Sequence, residues 1–283
     1  MSLLSKDRSL IHKNIIVTPV APIHRVDSFA SEMITQALIW EELDIIEKKN
    51  NWNYVMMDDQ YEGWVHSFFI RSTKTFETSF NRFSDNFTLV TKRMQPVYDC
   101  DGNIISILSL GSKIPSLLPK KNYLANKQSK IEILLADGSI GFIDKQMDMS
   151  NVLHQNKINF QSVIKMSCTL LNVPYLWGGK SSFGYDCSGF VQSIYKLHGI
   201  FLERDSGNMY KALKSHQIHF KDRHTGCLVF FSKNNNIDHV GIVISKTKFI
   251  HCSGYVKINS FNKDEADYYS EISDYKLIFI SPV

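Results

Sequence analysis

The chain has 283 residues, of which 43% are hydrophobic and 21% are charged. This length fits two or three domains, and the composition excludes a disordered chain. The net charge of +4 gives no reason to expect a nucleic-acid partner. The sequence has no run of about 18 apolar residues, so no membrane span is predicted.

Residues 1–14 show no apolar core after a basic start, so no signal peptide is predicted and we expect a cytoplasmic protein. The five cysteines are odd in number and include no CxxC pair. This pattern argues against a disulfide framework and against a zinc ribbon. Free thiols suit a reducing compartment, or an enzyme that needs one thiolate. We expect no metal, no organic cofactor and a monomer.

The region 13–75 reads as all-β. Short β-type runs alternate with polar turns, as is typical of small half-open barrels. The runs are Ile15-Ile16-Val17, Ile45-Ile46, Tyr54-Val55-Met56 and Gly63-Trp64-Val65.

The region 79–147 shows the same texture more faintly. Asp101-Gly102 is a good turn signal, and both regions end in a Gly-aromatic step, Gly63-Trp64 in the first and Gly141-Phe142 in the second. These features predict an internal repeat. The stretch 112–129 is rich in Lys, Pro and Asn and is expected to be an exposed linker.

After residue 150 the pattern changes. Apolar spacing predicts helices over 158–172 and 187–198. Strand-like runs follow at Leu228 to Phe231, Val240 to Ile244, Phe249-Ile250 and Leu277 to Ile280. Helices followed by an antiparallel sheet predict an α+β domain.

Cys187 stands at the start of the second predicted helix, after a loop with three glycines. Asp186 is a plausible N-cap, and the positive end of the helix dipole would favour a thiolate. The apolar stripe of the helix begins at Cys187 and continues with Phe190, Val191 and Ile194. Gly189 would let a neighbouring strand approach closely. A buried structural cysteine is the alternative, so partner histidines are needed.

His239 and His251 lie on two successive predicted strands. A hairpin centred on Ser245 would place them opposite each other, and a later centre would place them diagonally. One ring could then act as base toward Cys187 while the other orients it. A zinc site made of the same three residues is the rival use. The other histidines, His24, His66 and His198 among them, are expected to be exposed.

Residues 158–283 resemble the NlpC-type cell-wall peptidases, which are papain-like. The matching motifs are Tyr175-Leu-Trp-Gly-Gly, Asp186-Cys187-Ser188-Gly189-Phe190, Gly226-x-Leu-Val-Phe-Phe, Asp238-His239-Val-Gly-Ile and His251. One departure is Cys227, where the family usually has Asp after Gly; it is expected to be structural.

The N-terminal part resembles a bacterial SH3-like domain. The resemblance rests on Ser31-Glu32-Met-Ile-Thr35-Gln36, Trp52 and Tyr61-x-Gly63-Trp64-Val65. Two such domains before an NlpC-type domain resemble the γ-D-glutamyl-L-diamino acid endopeptidases, or dipeptidyl-peptidase VI. The resemblance implies small SH3-like barrels at 1–76 and 77–150. It also implies a papain-like domain at 151–283, with helices packed on an antiparallel sheet.

The resemblance also implies the chemistry. Such enzymes cleave L-Ala-γ-D-Glu from a diamino acid in murein-derived peptides with a free N-terminus. By motif, Cys187 is the nucleophile, His239 the base and His251 the third member. The residues implied to bind substrate are Tyr175 near the oxyanion, Asp186, Ser188 and Ser206 at γ-D-Glu, and Asp205, Glu32 and Tyr61 at the amino group.

Two other functions are compatible with these residues. One is a murein hydrolase that acts on intact wall, and the other is a non-catalytic wall-peptide-binding protein. The sequence leaves open which diamino acid is accepted.

Overall fold

The computed structural model describes residues 13–76, 83, 86–117, 130–146 and 158–282. Within these ranges the chain forms three large antiparallel sheets in succession, one two-stranded sheet and three α-helices. The predicted boundaries at 76–77 and 150–151 fall at or within residues outside the described ranges, as do His12 and His154. None of the helices in the described ranges has the length and apolar character needed to cross a bilayer.

The first sheet has seven strands. They are β1 (Asn14–Ile16), β2 (Val20–His24), β3 (Met33–Leu38), β4 (Glu42–Lys49), β5 (Trp52–Met56), β6 (Glu62–His66) and β7 (Ile70–Ser72). Their order across the sheet is β3-β2-β6-β5-β4-β1-β7. Ile16, Ile23, Val55 and Val65 are fully buried in the core of this region, which explains the alternating apolar pattern in the sequence.

The second sheet has six strands. They are β8 (Phe87–Leu89), β9 (Met94–Tyr98), β10 (Ile104–Ser109), β11 (Lys113–Leu117), β12 (Lys130–Leu134) and β13 (Ile140–Asp144). The order is β10-β9-β13-β12-β11-β8. When each sheet is counted from its own first strand, both have the order 3-2-6-5-4-1. The first sheet adds β7 at its edge.

The two Gly-aromatic steps occupy equivalent places in these sheets. Trp64 pairs with the last residue of β2, and Phe142 pairs with the last residue of β9. A Cβ on Gly63 would lie 2.5 Å from the Ile23 side chain, and a Cβ on Gly141 would lie 2.5 Å from that of Val97. A side chain at either glycine would therefore overlap the neighbouring strand.

The expected linker at 112–129 is wrong in its first part. Residues 113–117 form β11, which lies between β12 and β8, and Ile114 and Ser116 are fully buried. The strand was missed because its Pro and Lys residues are uncommon in strands. The sheet accommodates Pro115 because β11 pairs only with β8 at that position. Residues 118–129 lie outside the described ranges.

The last region combines helices with a six-stranded sheet. The helices are α1 (Phe160–Thr169), α2 (Cys187–Lys196) and α3 (Ser206–Leu213). The strands are β14 (Lys180–Ser181), β15 (Gly184–Tyr185), β16 (Gln217–Ile218), β17 (Leu228–Lys233), β18 (Asn236–Val243), β19 (Lys248–Ser253), β20 (Tyr255–Ser260) and β21 (Lys276–Ile280). β14 and β15 pair with each other, and the large sheet has the order β16-β21-β17-β18-β19-β20.

Helix α2 packs on the large sheet. Phe190, Val191 and Ile194 share one buried cluster with Val240 of β18 and Ile250 of β19. The predicted α+β organisation is therefore confirmed, although both predicted helices end earlier in the structure and α3 was not foreseen. This packing brings the first turn of α2 close to the start of β18.

Candidate active site

Cys187 is the first residue of α2, as the sequence predicted. The side chain of Asp186 caps the helix by accepting a hydrogen bond from the Gly189 N–H at 2.6 Å. The thiol is 8% exposed and stands at the end of a buried stripe. A Cβ on Gly189 would lie 2.1 Å from the Gly179 carbonyl oxygen, so a loop rather than the expected strand makes the close approach here.

The two candidate histidines contact each other directly. In the hairpin of β18 and β19, Gly241 pairs with His251, so the hairpin is centred beyond Ser245 and the two rings are diagonal. Nε2 of His239 lies 2.7 Å from Nδ1 of His251. The backbone of Val240, the next residue after His239, lies near enough to the Cys187 thiol to lower its pKa. Nucleophile, base and orienting group thus come from α2, β18 and β19.

A third side chain, Asn259 of β20, fixes the tautomers of the pair. Its Nδ2 donates to the Asp267 carbonyl at 2.9 Å, so its Oδ1 faces His251 Nε2, also at 2.9 Å. Only an N–H can bond to that oxygen, so His251 carries its proton on Nε2. A neutral His251 then accepts at Nδ1 from His239 Nε2–H. The free lone pair of His239 is therefore left on Nδ1.

Both imidazoles are held neutral near pH 7. Burial lowers the pKa of His239 well below its usual value, and the neighbouring His251 lowers it further. Burial lowers the pKa of His251 to about 4, although the hydrogen bond with Asn259 acts in the opposite direction. A pair of neutral rings can accept a proton at pH 7, as a general base must.

The Cys187 thiol does not behave as its helix position suggested. Burial, followed by the negative charge of Asp186, raises its pKa to about 12. The Val240 backbone, Arg204 and the Ser188 backbone lower it by less. Burial thus opposes the lowering of the thiol pKa that the helix start would give, because desolvation disfavours the charged form.

Arg204 is a site residue that the sequence reasoning missed. It is 2% exposed and binds both oxygens of Asp186, with Nη1 at 3.0 Å and Nη2 at 2.6 Å. Nη1 also donates to the Ser188 hydroxyl at 3.1 Å, and Nε donates to Thr35 of the first sheet at 2.8 Å. Asp186 and Ser188 are thus held by a buried cation. A lone arginine before the Asp205-Ser206 step carries no sequence signal of such burial.

Two residues of the first sheet region reach the last region near this site. The Tyr61 hydroxyl donates to both oxygens of Asp205, at 3.3 and 3.1 Å. Trp177 Nε1 donates to Glu32 at 2.8 Å. Asp205 directly precedes α3 but makes no side-chain capping bond. Its carboxylate accepts the hydrogen bonds from Tyr61 instead. The structure therefore brings Glu32, Tyr61 and Asp205 to the interface between the two regions.

The first region also places a cation beside Glu32. Arg25 Nε donates to Glu32 at 2.5 Å, and together with Trp177 it holds the pKa of that carboxyl below its usual value. Burial and Asp205 raise the pKa of Tyr61 to about 12, so its phenol stays protonated and donates. Ser206 is the first residue of α3.

Tyr175 lies beside the same open cavity as His239. Its backbone N–H donates to the Gly254 carbonyl at 2.9 Å. Burial raises the pKa of Tyr175, and the charges of Cys187 and Asp186 add to this effect. The neutral phenol is therefore a hydrogen-bond donor.

The alternative zinc site does not fit this geometry. Nε2 of His239 and Nδ1 of His251 bond to each other, so these two nitrogens do not converge on a third point. Within the described parts of the chain, no group of three His, Cys, Asp or Glu residues is arranged to hold a metal ion.

Comparison with known families agrees with this geometry. Residues 172–273, which include Cys187, His239, His251 and Asn259, match the NlpC/P60 family. Residues 172–273 form an NlpC/P60 domain. Residues 24–67, which include Glu32 and Tyr61, match the bacterial dipeptidyl-peptidase Sh3 domain. The chain therefore combines a papain-like NlpC/P60 domain with an N-terminal SH3 domain.

The chain is also similar to named peptidases over most of its length. The chain is 28% identical over 228 residues to a gamma-D-glutamyl-L-lysine dipeptidyl-peptidase of Bacillus subtilis, covering 77% of this chain and 71% of the relative. It is 23% identical over 273 residues to dipeptidyl-peptidase 6 of Lysinibacillus sphaericus, covering 92% and 95%. An NlpC/P60 family protein from Bacillus cereus has the same fold, with a TM-score of 0.77 at 21% identity over 94% of this chain and 98% of that one.

Proposed function

We propose that the protein is a cysteine endopeptidase that hydrolyses the γ-D-glutamyl–L-diamino acid bond of murein-derived peptides with a free N-terminal L-Ala. The observation that carries the proposal is the hydrogen-bonded series His239, His251 and Asn259 beside a cysteine at a helix start. The similarity to a gamma-D-glutamyl-L-lysine dipeptidyl-peptidase and to dipeptidyl-peptidase 6 supports the proposal.

The chemistry starts from a neutral pair. His239 Nδ1 takes the thiol proton as Cys187 sulfur attacks the γ-glutamyl carbonyl carbon, and a tetrahedral oxyanion forms. The Cys187 backbone N–H and the Tyr175 hydroxyl stabilise this oxyanion. The His239 imidazolium then protonates the amine of the diamino acid, the C–N bond breaks and an acyl-enzyme remains. Water, deprotonated by His239, releases L-Ala-γ-D-Glu and restores the thiol.

The first domain selects the free N-terminus. A substrate ammonium that becomes covered needs a carboxylate partner. Asp205 is the stronger candidate, because its described partner is the neutral Tyr61 phenol, whereas Glu32 already binds Arg25. A γ-D-Glu carboxylate would in turn bind near Ser188 and Ser206, where the buried Arg204 offsets the charge of Asp186.

The remaining domain organisation is part of this proposal. We assign SH3-like domains to 1–76 and 77–150 and the peptidase domain to 151–283. The shared strand order and the equivalent glycines Gly63 and Gly141 support a second SH3-like domain. We also propose that the protein is a monomer. The five free cysteines favour a reducing, cytoplasmic location.

The test is hydrolysis of L-Ala-γ-D-Glu-L-Lys, followed by chromatography of the released L-Ala-γ-D-Glu. Cys187→Ala should lose activity by several orders of magnitude, because the nucleophile is gone. Cys100→Ala, which removes an exposed thiol, is the matched control and should retain full activity. Equal turnover by Cys187→Ala, or none by the wild type, would refute the proposal.

The N-acetylated peptide separates recycling of free peptides from attack on intact wall. The geometry predicts that acetylation lowers kcat/KM, since the amide cannot pair with Asp205. Preference for the blocked peptide would favour a hydrolase of intact wall instead.

A further inference from the structure

A cavity of about 290 Å³ opens beside His239. It is bordered by Tyr175 and His239 and continues over residues 253–254 and the segment 269–275. Among the described residues, none from the first sheet lines it. The cavity is therefore separate from the Tyr61–Asp205 contact, where the proposed function places the free N-terminus.

The proposed reaction requires an open space at this position. His239 must protonate the nitrogen of the departing diamino acid, so that amino acid must lie against the imidazole. The acyl part of the substrate extends toward the first domain. The departing part therefore extends in the other direction, into the cavity that His239 and Tyr175 border.

The cavity carries negative charge. Asp238 and Glu271 both line it, and both are exposed to solvent. The Tyr269 hydroxyl donates to Glu271 Oε2 at 2.6 Å, and the Tyr269 ring packs 4.9 Å from that of His251. The Glu271 carboxylate is thus held at a defined distance from the histidine pair by a rigid aromatic side chain.

Two lysines lie near the cavity without lining it, and Lys257 is close enough to lower the pKa values of His239 and His251. Lys233 pairs with Asp274 at 3.6 Å, and its Nζ lies 5.6 Å from the Tyr275 ring. Lys257 lies 5.4 Å from the Tyr255 ring and 5.6 Å from the Tyr269 ring. Neither lysine lines the cavity. An incoming cation would therefore find two carboxylates without a lysine or arginine between them.

Aromatic side chains complete the walls. The Phe231 ring lies 5.1 Å from His239, 5.9 Å from Tyr275 and 6.3 Å from Tyr269. Apolar walls beside carboxylates suit a methylene chain that ends in an ammonium group, since such side chains pack their stem and keep the charge at its end.

Resting on the proposed function, we propose that this cavity binds the diamino acid and that Glu271, with Asp238, recognises its side-chain ammonium. Lysine and meso-diaminopimelate share that ammonium. Diaminopimelate adds a carboxylate, which these acids repel, so lysine is the preferred residue.

The experiment measures kcat/KM for L-Ala-γ-D-Glu-X, where X is L-lysine, meso-diaminopimelate or L-norleucine. Norleucine keeps the aliphatic stem and lacks the ammonium. The wild type should favour lysine over norleucine by about fivefold to tenfold, the value of one partly exposed charge pair. Lysine should also exceed diaminopimelate. In Glu271→Gln the preference for lysine over norleucine should fall to about twofold or less.

Asp274→Asn is the matched control. It removes an acid three residues away that pairs with Lys233 and does not line the cavity. Its preference for lysine should equal that of the wild type. Asp238→Asn, combined with Glu271→Gln, should abolish the preference altogether.

The outcomes separate this proposal from the proposed function. If the wild type hydrolyses all three peptides and Glu271→Gln leaves the lysine-to-norleucine ratio unchanged, the cavity assignment is overturned while the endopeptidase activity stands. If the wild type hydrolyses none of them, the proposed function fails, and the cavity assignment fails with it.

Discussion

The first and second sheets have the same strand order but meet the peptidase domain in different ways. The first sheet contributes charged and polar side chains to the site region, through Thr35 on Arg204 and Glu32 on Trp177. The second region makes contacts without an ion pair among the described residues: Ser109 accepts a hydrogen bond from the Ser182 N–H at 2.9 Å, and Arg93 donates to the Leu171 carbonyl.

Two domains with the same strand order can therefore have different roles in one protein. Both sheets have an equivalent glycine and a similar buried core. Only the first presents a tyrosine and an acid where a substrate would end. We therefore expect changes at the first interface to affect substrate use, and changes at the second to affect stability alone.

The largest expected effect is that of Arg204→Met, which breaks the link between the first sheet and the start of α2. The buried Asp186 would lose its ion pair, and removal of one partner of such a pair costs about 3–5 kcal/mol. The free energy of unfolding, measured with urea, should fall by that amount. Activity should also fall, because Asp186 caps the helix that carries Cys187.

The matched change at the second interface is Arg93→Met. Arg93 Nη1 donates to the Leu171 carbonyl at 3.0 Å, in a partly buried place with no ion pair among the described contacts. Loss of this bond should cost about 1.5–3 kcal/mol, the usual value for a hydrogen bond that involves a charged group. Equal losses for the two arginines would contradict the contrast between the interfaces.

The second largest effect is expected for Asp205→Asn. The substrate ammonium loses its charged partner Asp205, which becomes covered when the substrate binds. We therefore expect kcat/KM to fall roughly 30-fold, mainly through a higher KM. The N-acetylated peptide, which has no ammonium, should show no such loss. Asp222→Asn changes an exposed acid elsewhere in the same domain and should behave as wild type. A similar loss for both peptides would argue against recognition of the N-terminus.

A third prediction concerns chemistry that belongs to neither sheet. The lowered pKa values of His239 and His251 mean that protonation requires a more acidic solution, so the acid limb of kcat/KM should lie below pH 6.5. Asn259→Asp places a carboxylate beside His251 and raises its pKa, because the charged ring is favoured. The acid limb should move up by about one pH unit.

The same substitution should also lower the rate at pH 7. A charged His251 donates from Nδ1 to His239 Nε2, and the proton of His239 then sits on Nδ1, where the base is needed. Asn262→Asp alters a nearby turn asparagine and serves as the control. Identical pH profiles for all three proteins would show that Asn259 does not set the tautomers.

Local patterns predicted the central part of the site. The helix start at Cys187 depends on its own cap, and the two histidines lie on adjacent strands of one hairpin, so both could be seen in a short window. The role of Arg204 could not, because its partner Thr35 is 169 residues away. Asn259 is only eight residues from His251, but a single asparagine on a strand gives no sign of the ring that it contacts. Burial, which opposes the expected lowering of the pKa of Cys187, is likewise a tertiary property.

Burial also explains the error on three histidines. His24, His66 and His198 were expected to be exposed, and each is 5–6% exposed. His66 packs 5.2 Å from the Trp52 ring, and His198 bonds to the Ile194 carbonyl at 2.8 Å and to the Ser162 hydroxyl at 3.1 Å. A single histidine in a strand or at the end of a helix gives no sign of such partners in the sequence.

The smallest expected effect on activity tests the contrast most directly, because it compares two buried hydroxyls. Thr35→Val removes the acceptor for Arg204 Nε at the first interface, and Ser109→Ala removes the acceptor for the Ser182 N–H at the second. Each leaves a buried donor unpaired, so each should cost about 1–3 kcal/mol of unfolding free energy.

Thr35→Val should also lower kcat/KM, since Arg204 holds Asp186 and Ser188. Ser109→Ala should leave kcat/KM unchanged at a temperature where both variants are folded. A loss of activity in Ser109→Ala at full folding would mean that the second sheet, too, acts on the site, and that the two repeats differ in distance from the chemistry rather than in role.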